Sequence, residues 1–294
     1  MATLVPNIIL NAAILGIIYG FLGLSLTIVY GGMRIANLAH GDIVVAGSFV
    51  TYSLTAKFGY SPIAALPVAF IYLSLLGYCL YRIAGKRLQN SQDPELASFL
   101  FFYGVSLMTS AALLFIFDAD ARAISFQFKP LSFQFLGLRV PHARLVAAGV
   151  ALALVPAIFW ALYRTIYGKA LRGAIMNRDA LRIVGIDIDR LSMFAFSISF
   201  GLAGMTGVLI ALVFPAFSPF SGMDYTILGF VVIVLGGLGS PLGALAGGLL
   251  FALTEQLTTL YLGQSTGLIA GFLVLVAVIV VRPAGLMGQV EWRA

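Results

Sequence analysis

Nine apolar runs, separated by short polar segments, constrain this chain more than any other feature of its sequence. About 20 apolar residues cross the hydrocarbon of a bilayer as one helix. The runs fall near 8–30, 38–56, 61–81, 96–117, 143–163, 191–213, 224–237, 241–260 and 267–281. The seventh is short, so eight or nine spans are expected. Composition agrees: 61% of residues are hydrophobic, 10% are charged and the mean hydropathy is +1.04, outside the range of soluble domains. An all-α polytopic membrane protein follows, with residues 1–294 as a single transmembrane domain. The first run is longer than a signal h-region, lacks a basic flank and is read as a retained span.

The 17 basic residues fix an expected orientation. Twelve group on one side, at Arg34, at Arg82, Lys86 and Arg87, six times between Arg164 and Arg190, and at Arg282 and Arg293. Five group on the other, at Lys57, Arg122, Lys129, Arg139 and Arg144. With nine spans the N-terminus lies outside and residues 164–190 lie in the cytoplasm. The longest external segment, 118–142, alternates Ile124, Phe126 and Phe128, then Phe133 and Phe135, about Lys129-Pro130. It reads as a small extracytoplasmic hairpin or as an irregular loop with aromatic anchors.

Residues 164–190 are the longest stretch that a bilayer would refuse. Asn177 suits a helix N-cap, Asp179 suits the first turn, and Gly185 stands where a left-handed residue would end the helix. A helix of about two turns over Arg178 to Val184 is expected, with Ala180, Leu181 and Val184 on one face. It is either a solvated loop that anchors topology or a docking element for another protein.

Two stretches break the helical pattern at membrane depth. In MRIANLAHGD (33–42), Arg34, Asn37, His40 and Asp42 sit between apolar runs. Ionisable groups there face a cavity, a partner or the surface. The stretch is a discontinuous helix lining a path, or a tight cytoplasmic turn with Asn37 capping the next span. If a helix is continuous from Asn37, His40 and Asp42 point about 200° apart. Asn37 and His40 would then lie nearer the path, and Asp42 would take Arg34 or a backbone donor as partner. In LGGLGSPLG (235–243), Gly236, Gly237, Gly239, Ser240 and Pro241 exclude a continuous helix interior. Either a hairpin between spans or a pair of half-helices is required. Small residues also recur at four-residue spacing, at Gly16 and Gly20, at Ser199, Ala203 and Gly207, and at Gly243 and Gly247, where helix backbones can approach closely.

Several classes are excluded. One cysteine, Cys79, permits no intramolecular disulfide, and with two histidines gives no metal-ligand cluster. Cys79 reads as a small packing residue. No catalytic constellation and no cofactor motif is present. No lysine stands in G-K-[ST], so the chain has no phosphate-binding loop of its own. The basic residues are dispersed in loops and form no nucleic-acid face.

Four stretches, YGGMRIANLAHGD (30–42), GKALRGAIMNRDALRIVGID (168–187), GLAGMTGVL (201–209) and VIVLGGLGSPLGALAGG (232–248), followed by RPAGLMG (282–288), span the chain. They resemble the membrane permeases of ABC importers for branched-chain, hydrophobic amino acids, the type similar to the first of two permease subunits. The second and fourth stretches are the specific ones. The resemblance implies that Gly168, Arg172, Asn177, Ala180 and Gly185 belong to the cytoplasmic element that couples to an ATPase. Arg178 and Asp179 lie in the same element, where the family often carries Glu or Pro. Asn37, His40, Asp42, Gly236, Gly237 and Gly239 are the candidates for the translocation path or gate. The resemblance further implies a second homologous permease subunit, two ABC ATPase subunits, an extracytoplasmic binding protein, and a type II-like bundle in a prokaryotic inner membrane. Urea or short-amide permeases of the same family carry the same motifs. An ion-coupled transporter relaying through His40 and Asp42 is the competing class, opposed by the scarcity of intramembrane acids. A purely structural scaffold leaves both breaks unexplained.

Overall fold

The fold was analysed in a computed structural model, which describes residues 4–33, 35–124, 132–135 and 138–288. Within them lie α1 (Leu4–Met33), α2 (His40–Phe58), α3 (Ala65–Leu80), α4 (Lys86–Gln89), α5 (Pro94–Phe117), α6 (His142–Arg164), α7 (Ile166–Met176), α8 (Arg178–Ile183), α9 (Ile188–Val213), α10 (Gly222–Gly236), α11 (Pro241–Leu262) and α12 (Gln264–Val281). A turn at Pro62–Ala64 leads into α3, and a π-helical segment, Tyr81–Gly85, joins α3 to α4. Seven helical stretches, 5–31, 62–89, 94–117, 142–164, 188–213, 219–236 and 241–262, are long and apolar enough to cross a membrane. Outside that set are α2, which carries His40, Asp42, Ser48, Thr51 and Lys57 in 19 residues, and the shorter Thr266–Val281.

The bundle is apolar both inside and out. Its centre is α1 and α9, with α2, α10 and α11 packed against them; Phe21, Phe49, Phe196, Phe200 and Phe251 are fully buried there. The sheath of α3, α5, α6 and α12 turns Ile71, Tyr72, Met108, Phe115, Trp160 and Val280 outward, an apolar exterior that suits hydrocarbon rather than water. Cys79 also lies on this exterior and does not fill an interior gap. The small-residue pairs bring helices together. Gly16 and Gly20 abut Leu249 and Leu245, and Gly207 abuts the Val44 carbonyl and the Ser48 amide, so a Cβ at any of them would collide with a neighbouring backbone.

Contacts between helix ends define two poles. At one pole Lys86 pairs with Asp189 at 3.2 Å, and Gly31 lies against Ile175 and Gly239. The C-terminal segment returns to this pole, where the Leu286 and Met287 amides donate to the Leu235 and Gly236 carbonyls at 2.9 and 2.8 Å. At the opposite pole Arg144 donates to Asn11 Oδ1 at 3.0 Å, Arg122 exchanges backbone hydrogen bonds with Phe217, and Phe49 packs on Phe117. That pole also carries a hairpin of β1 (Ser132–Phe135) and β2 (Leu138–Pro141), paired Ser132 to Pro141. The aromatic run at Phe133 and Phe135 is thus a strand, but its partner follows it in sequence. The expected partner at 124–128 lies largely outside the described residues.

Candidate functional site

Residues 35–39 do not make a turn at the end of the bundle. His40 Nε2 lies 2.8 Å from Ser25 Oγ, eight residues before the end of α1. At 1.5 Å per residue the chain has therefore returned about 12 Å into the bundle before α2 begins. The ladder along α5 gives the same depth. The Ala36 amide donates to Ser98 Oγ, whereas Asp42 meets Ser106 and Ser110, about 12 to 18 Å farther along that helix. The start of α2 thus lies level with the middle of α5.

Irregular backbone at such depth persists where protein satisfies its polar groups. Thr226 of α10 does this in both directions: its hydroxyl accepts from the Gly41 amide and donates to the Leu38 carbonyl, each at 2.9 Å. Asn37 Oδ1 accepts from the Ala39 amide at 3.1 Å. The Asp42 carboxylate accepts from Ser106 Oγ at 2.5 Å and Ser110 Oγ at 2.8 Å, one hydroxyl to each oxygen. Its side-chain partners are these serines, where sequence suggested Arg34 or a backbone donor; Arg34 lies outside the described residues. Since α2 starts at His40, the assumption of a helix continuous from Asn37 fails, and Asn37 and His40 share no helix face.

Ser25 donates to the Leu22 carbonyl at 2.7 Å, so its single proton is committed and His40 Nε2 is the donor to it. That leaves His40 Nδ1 as an acceptor. It and Asn37 Nδ2 are buried and have no partner among the described residues. Two buried polar atoms without a partner among the described residues mark the broken helix as a candidate site.

The glycine break is a different place. Gly237 and Gly239 have φ of +107° and +79°, and Ser240 caps α11 by accepting from the Gly243 amide at 3.1 Å. It is a hairpin, with Gly236 and Gly243 in backbone contact across it. Gly236 lies ten residues, about 15 Å, along α10 from Thr226. The structure therefore does not bring Gly236, Gly237 and Gly239 together with Asn37, His40 and Asp42. It sets Gly239 against α7, beside a cavity of about 330 Å³ lined by Tyr163, Arg172, Ile175, Met176 and the C-terminal segment.

The polar island folds as two helices rather than one. Thr165 caps α7, accepting from the Gly168 amide at 3.1 Å. Gly168 lies against the Ala161 and Leu162 carbonyls, where no side chain fits. Arg172 donates to the Leu162 carbonyl at 3.3 Å and stacks its guanidinium 4.2 Å over the Tyr163 ring. These two residues fasten α7 to the end of α6. Asn177 ends α7 and caps α8, accepting from the Ala180 amide at 3.0 Å. Gly185, at φ +80°, closes α8: its amide donates to the Arg182 carbonyl and the Ile186 amide to the Leu181 carbonyl, both at 3.0 Å. Leu181 packs on Gly173. Arg178 opens α8 and is half-buried, and the backbone of Asp179 lies in its first turn. Left outside are Met176, Ile183 and Val184, which are 83%, 87% and 72% exposed. Of the face expected from sequence, Val184 and Ala180 are exposed while Leu181 packs inward, and Met176 and Ile183 complete the apolar knob.

Sequence reasoning missed Ser25, Ser106, Ser110 and Thr226. The four-residue spacing of Ser106 and Ser110 was the available signal.

Residues 8–281 match the family model described as the branched-chain amino acid transport system permease component. A probable branched-chain amino acid transport permease protein LivH of Methanocaldococcus jannaschii is 28% identical over 290 residues, covering 92% of this chain and 89% of that protein. LivH of Escherichia coli K12, a high-affinity branched-chain amino acid transport system permease protein, is 27% identical, covering 96% and 94%. LivM of the same organism and the same kind of system is 26% identical, covering 94% of this chain and 69% of itself.

Proposed function

We infer the role of this chain from the family to which it belongs, the branched-chain amino acid transport system permease components. In this reading it is the membrane permease subunit of an ABC importer and forms half of a translocation pathway for branched-chain or other apolar amino acids. Two separate ATPase subunits hydrolyse ATP, a second homologous permease completes the pathway, and an extracytoplasmic binding protein delivers the solute. That both LivH and LivM of one organism resemble the chain supports a paired permease. The pole bearing α7 and α8 faces the cytoplasm of a prokaryotic inner membrane. This gives nine crossings when α2, which starts at half depth, and α12 are counted with the seven long stretches.

The observation that carries the coupling role is the exposed knob at the ends of α7 and α8. Met176 ends α7, which is fastened to α6, and Ile183 and Val184 end α8, which is capped at both ends; together the two helices are a rigid mount for an apolar contact. A solvated loop has no use for three such residues in water. Within the bundle, Asn37 Nδ2 offers a donor and His40 Nδ1 an acceptor, a pairing suited to a solute that carries both. Affinity purification of the tagged chain from its native membrane tests the assembly. An ATPase subunit is expected to copurify, and to be lost on Ile183→Asp with Val184→Asp. Retention of the ATPase by that variant would place the contact elsewhere.

A further inference from the structure

A second cavity, of about 280 Å³, lies between α6 and α9, floored by Ile28 of α1 and Phe70 of α3. On α9 it runs from Leu191 to Leu202, eleven residues or about 16 Å. That is half of the roughly 30 Å hydrocarbon thickness, the depth of one leaflet. Its wall is almost entirely carbon, and the space exists because Ala157, Ala161 and Ala195 stand where larger side chains would fill it. One end of it is polar. Thr165, Tyr167 and Gly168, at the first turn of α7, form the mouth. Arg164 and Lys169 flank those residues, exposed and without an ion-pair partner among the described residues.

We propose that this cavity seats one acyl chain of an anionic phospholipid from the leaflet on the α7 side, with its phosphate held between Arg164, Lys169 and the amides of Ile166 and Tyr167, which the Thr165 cap does not use. The length fits one leaflet and the wall fits hydrocarbon. Two exposed cations, each adjacent in sequence to a residue of the mouth, and the helix N-terminus complement a phosphate. The same corner joins α6 to α7, so the lipid would brace the mount of the exposed knob. The inference needs only the membrane-spanning reading; it stands or falls independently of ATPase docking.

The chain, with any subunits that copurify, is reconstituted into vesicles of phosphatidylcholine. The vesicles contain a trace of either phosphatidylglycerol or phosphatidylcholine bearing a photoactivatable group at the acyl terminus. On irradiation, the phosphatidylglycerol probe is expected to label the deep end of the cavity, at Leu154 and Leu202, more heavily than the phosphatidylcholine probe. Labelling there should fall several-fold in Ala161→Trp and, separately, in Ala195→Phe. Arg164→Gln with Lys169→Gln keeps the cavity open and should abolish only the preference for phosphatidylglycerol. Equal labelling by both probes in the unaltered chain would overturn the proposal. So would labelling spread evenly over α3, α5 and α12 and unchanged by filling the cavity, or occupation of the cavity by a helix of another subunit.

Discussion

Asp42 is a carboxylate buried at the start of a helix, and two serine hydroxyls from α5 are its partners. Hydrogen bonds to a charged group contribute about 1.5–3 kcal/mol, and a buried charge left without them costs more. Ser106→Ala with Ser110→Ala is therefore expected to lower the melting temperature in detergent more than a triple variant that also carries Asp42→Ala. If the triple variant is the less stable, the serines are not the carboxylate's essential partners. His40 stands apart, because its Nδ1 has no partner among the described residues. His40→Ala should leave the yield intact and alter transport; loss of folded protein would reverse the two roles. Gly239 has φ +79°, and a Cβ there would meet Gly31 and Ile175 only at ordinary contact distance, so the first constraint there is backbone conformation. Gly239→Val should cost about 1–3 kcal/mol, read as a drop in melting temperature and in transport; an unchanged protein would remove the backbone argument.

Among the elements, α8 was legible in the sequence because its determinants are local. Asn177 and Gly185 cap it with bonds that span at most five residues. The break before α2 was not legible in the same way. A segment that runs back into the bundle and a turn at its end look alike until Ser98, Ser106 and Thr226, supplied from α5 and α10, show how deep the chain runs. Nor was α7 legible, because its attachment depends on the Tyr163 ring and the Leu162 carbonyl beneath Arg172. Serines in an apolar span ordinarily bond to their own helix, which hid Ser106 and Ser110. On α8 itself, Asn177→Ala removes the cap at a cost of about 1 kcal/mol. It should weaken substrate-stimulated ATP hydrolysis by the assembled complex while leaving substrate binding to the soluble partner unchanged. Unaltered stimulation would mean that the order of α8 is not limiting.

At the scale of the whole molecule, the seven long stretches and the two poles were largely written in hydropathy and charge, which depend on composition along the chain and not on packing. The glycine hairpin and the broken α2 are functional candidates at different depths, and α10 joins them: Thr226 closes the break and Gly236 abuts the turn beside α7. A displacement of α7 by a docked ATPase would therefore have a rigid helix through which to reach the orphaned atoms of Asn37 and His40. The central claim is that the chain moves solute only when an ATPase drives it from the α8 pole. Uptake of radiolabelled leucine into proteoliposomes containing the full complex and its binding protein, with ATP confined to the face bearing α8, measures this directly. Accumulation is predicted with ATP and the ATPase subunits, and none with Ile183→Asp and Val184→Asp. Uphill uptake by this chain alone on an ion gradient, without ATP, would contradict the account.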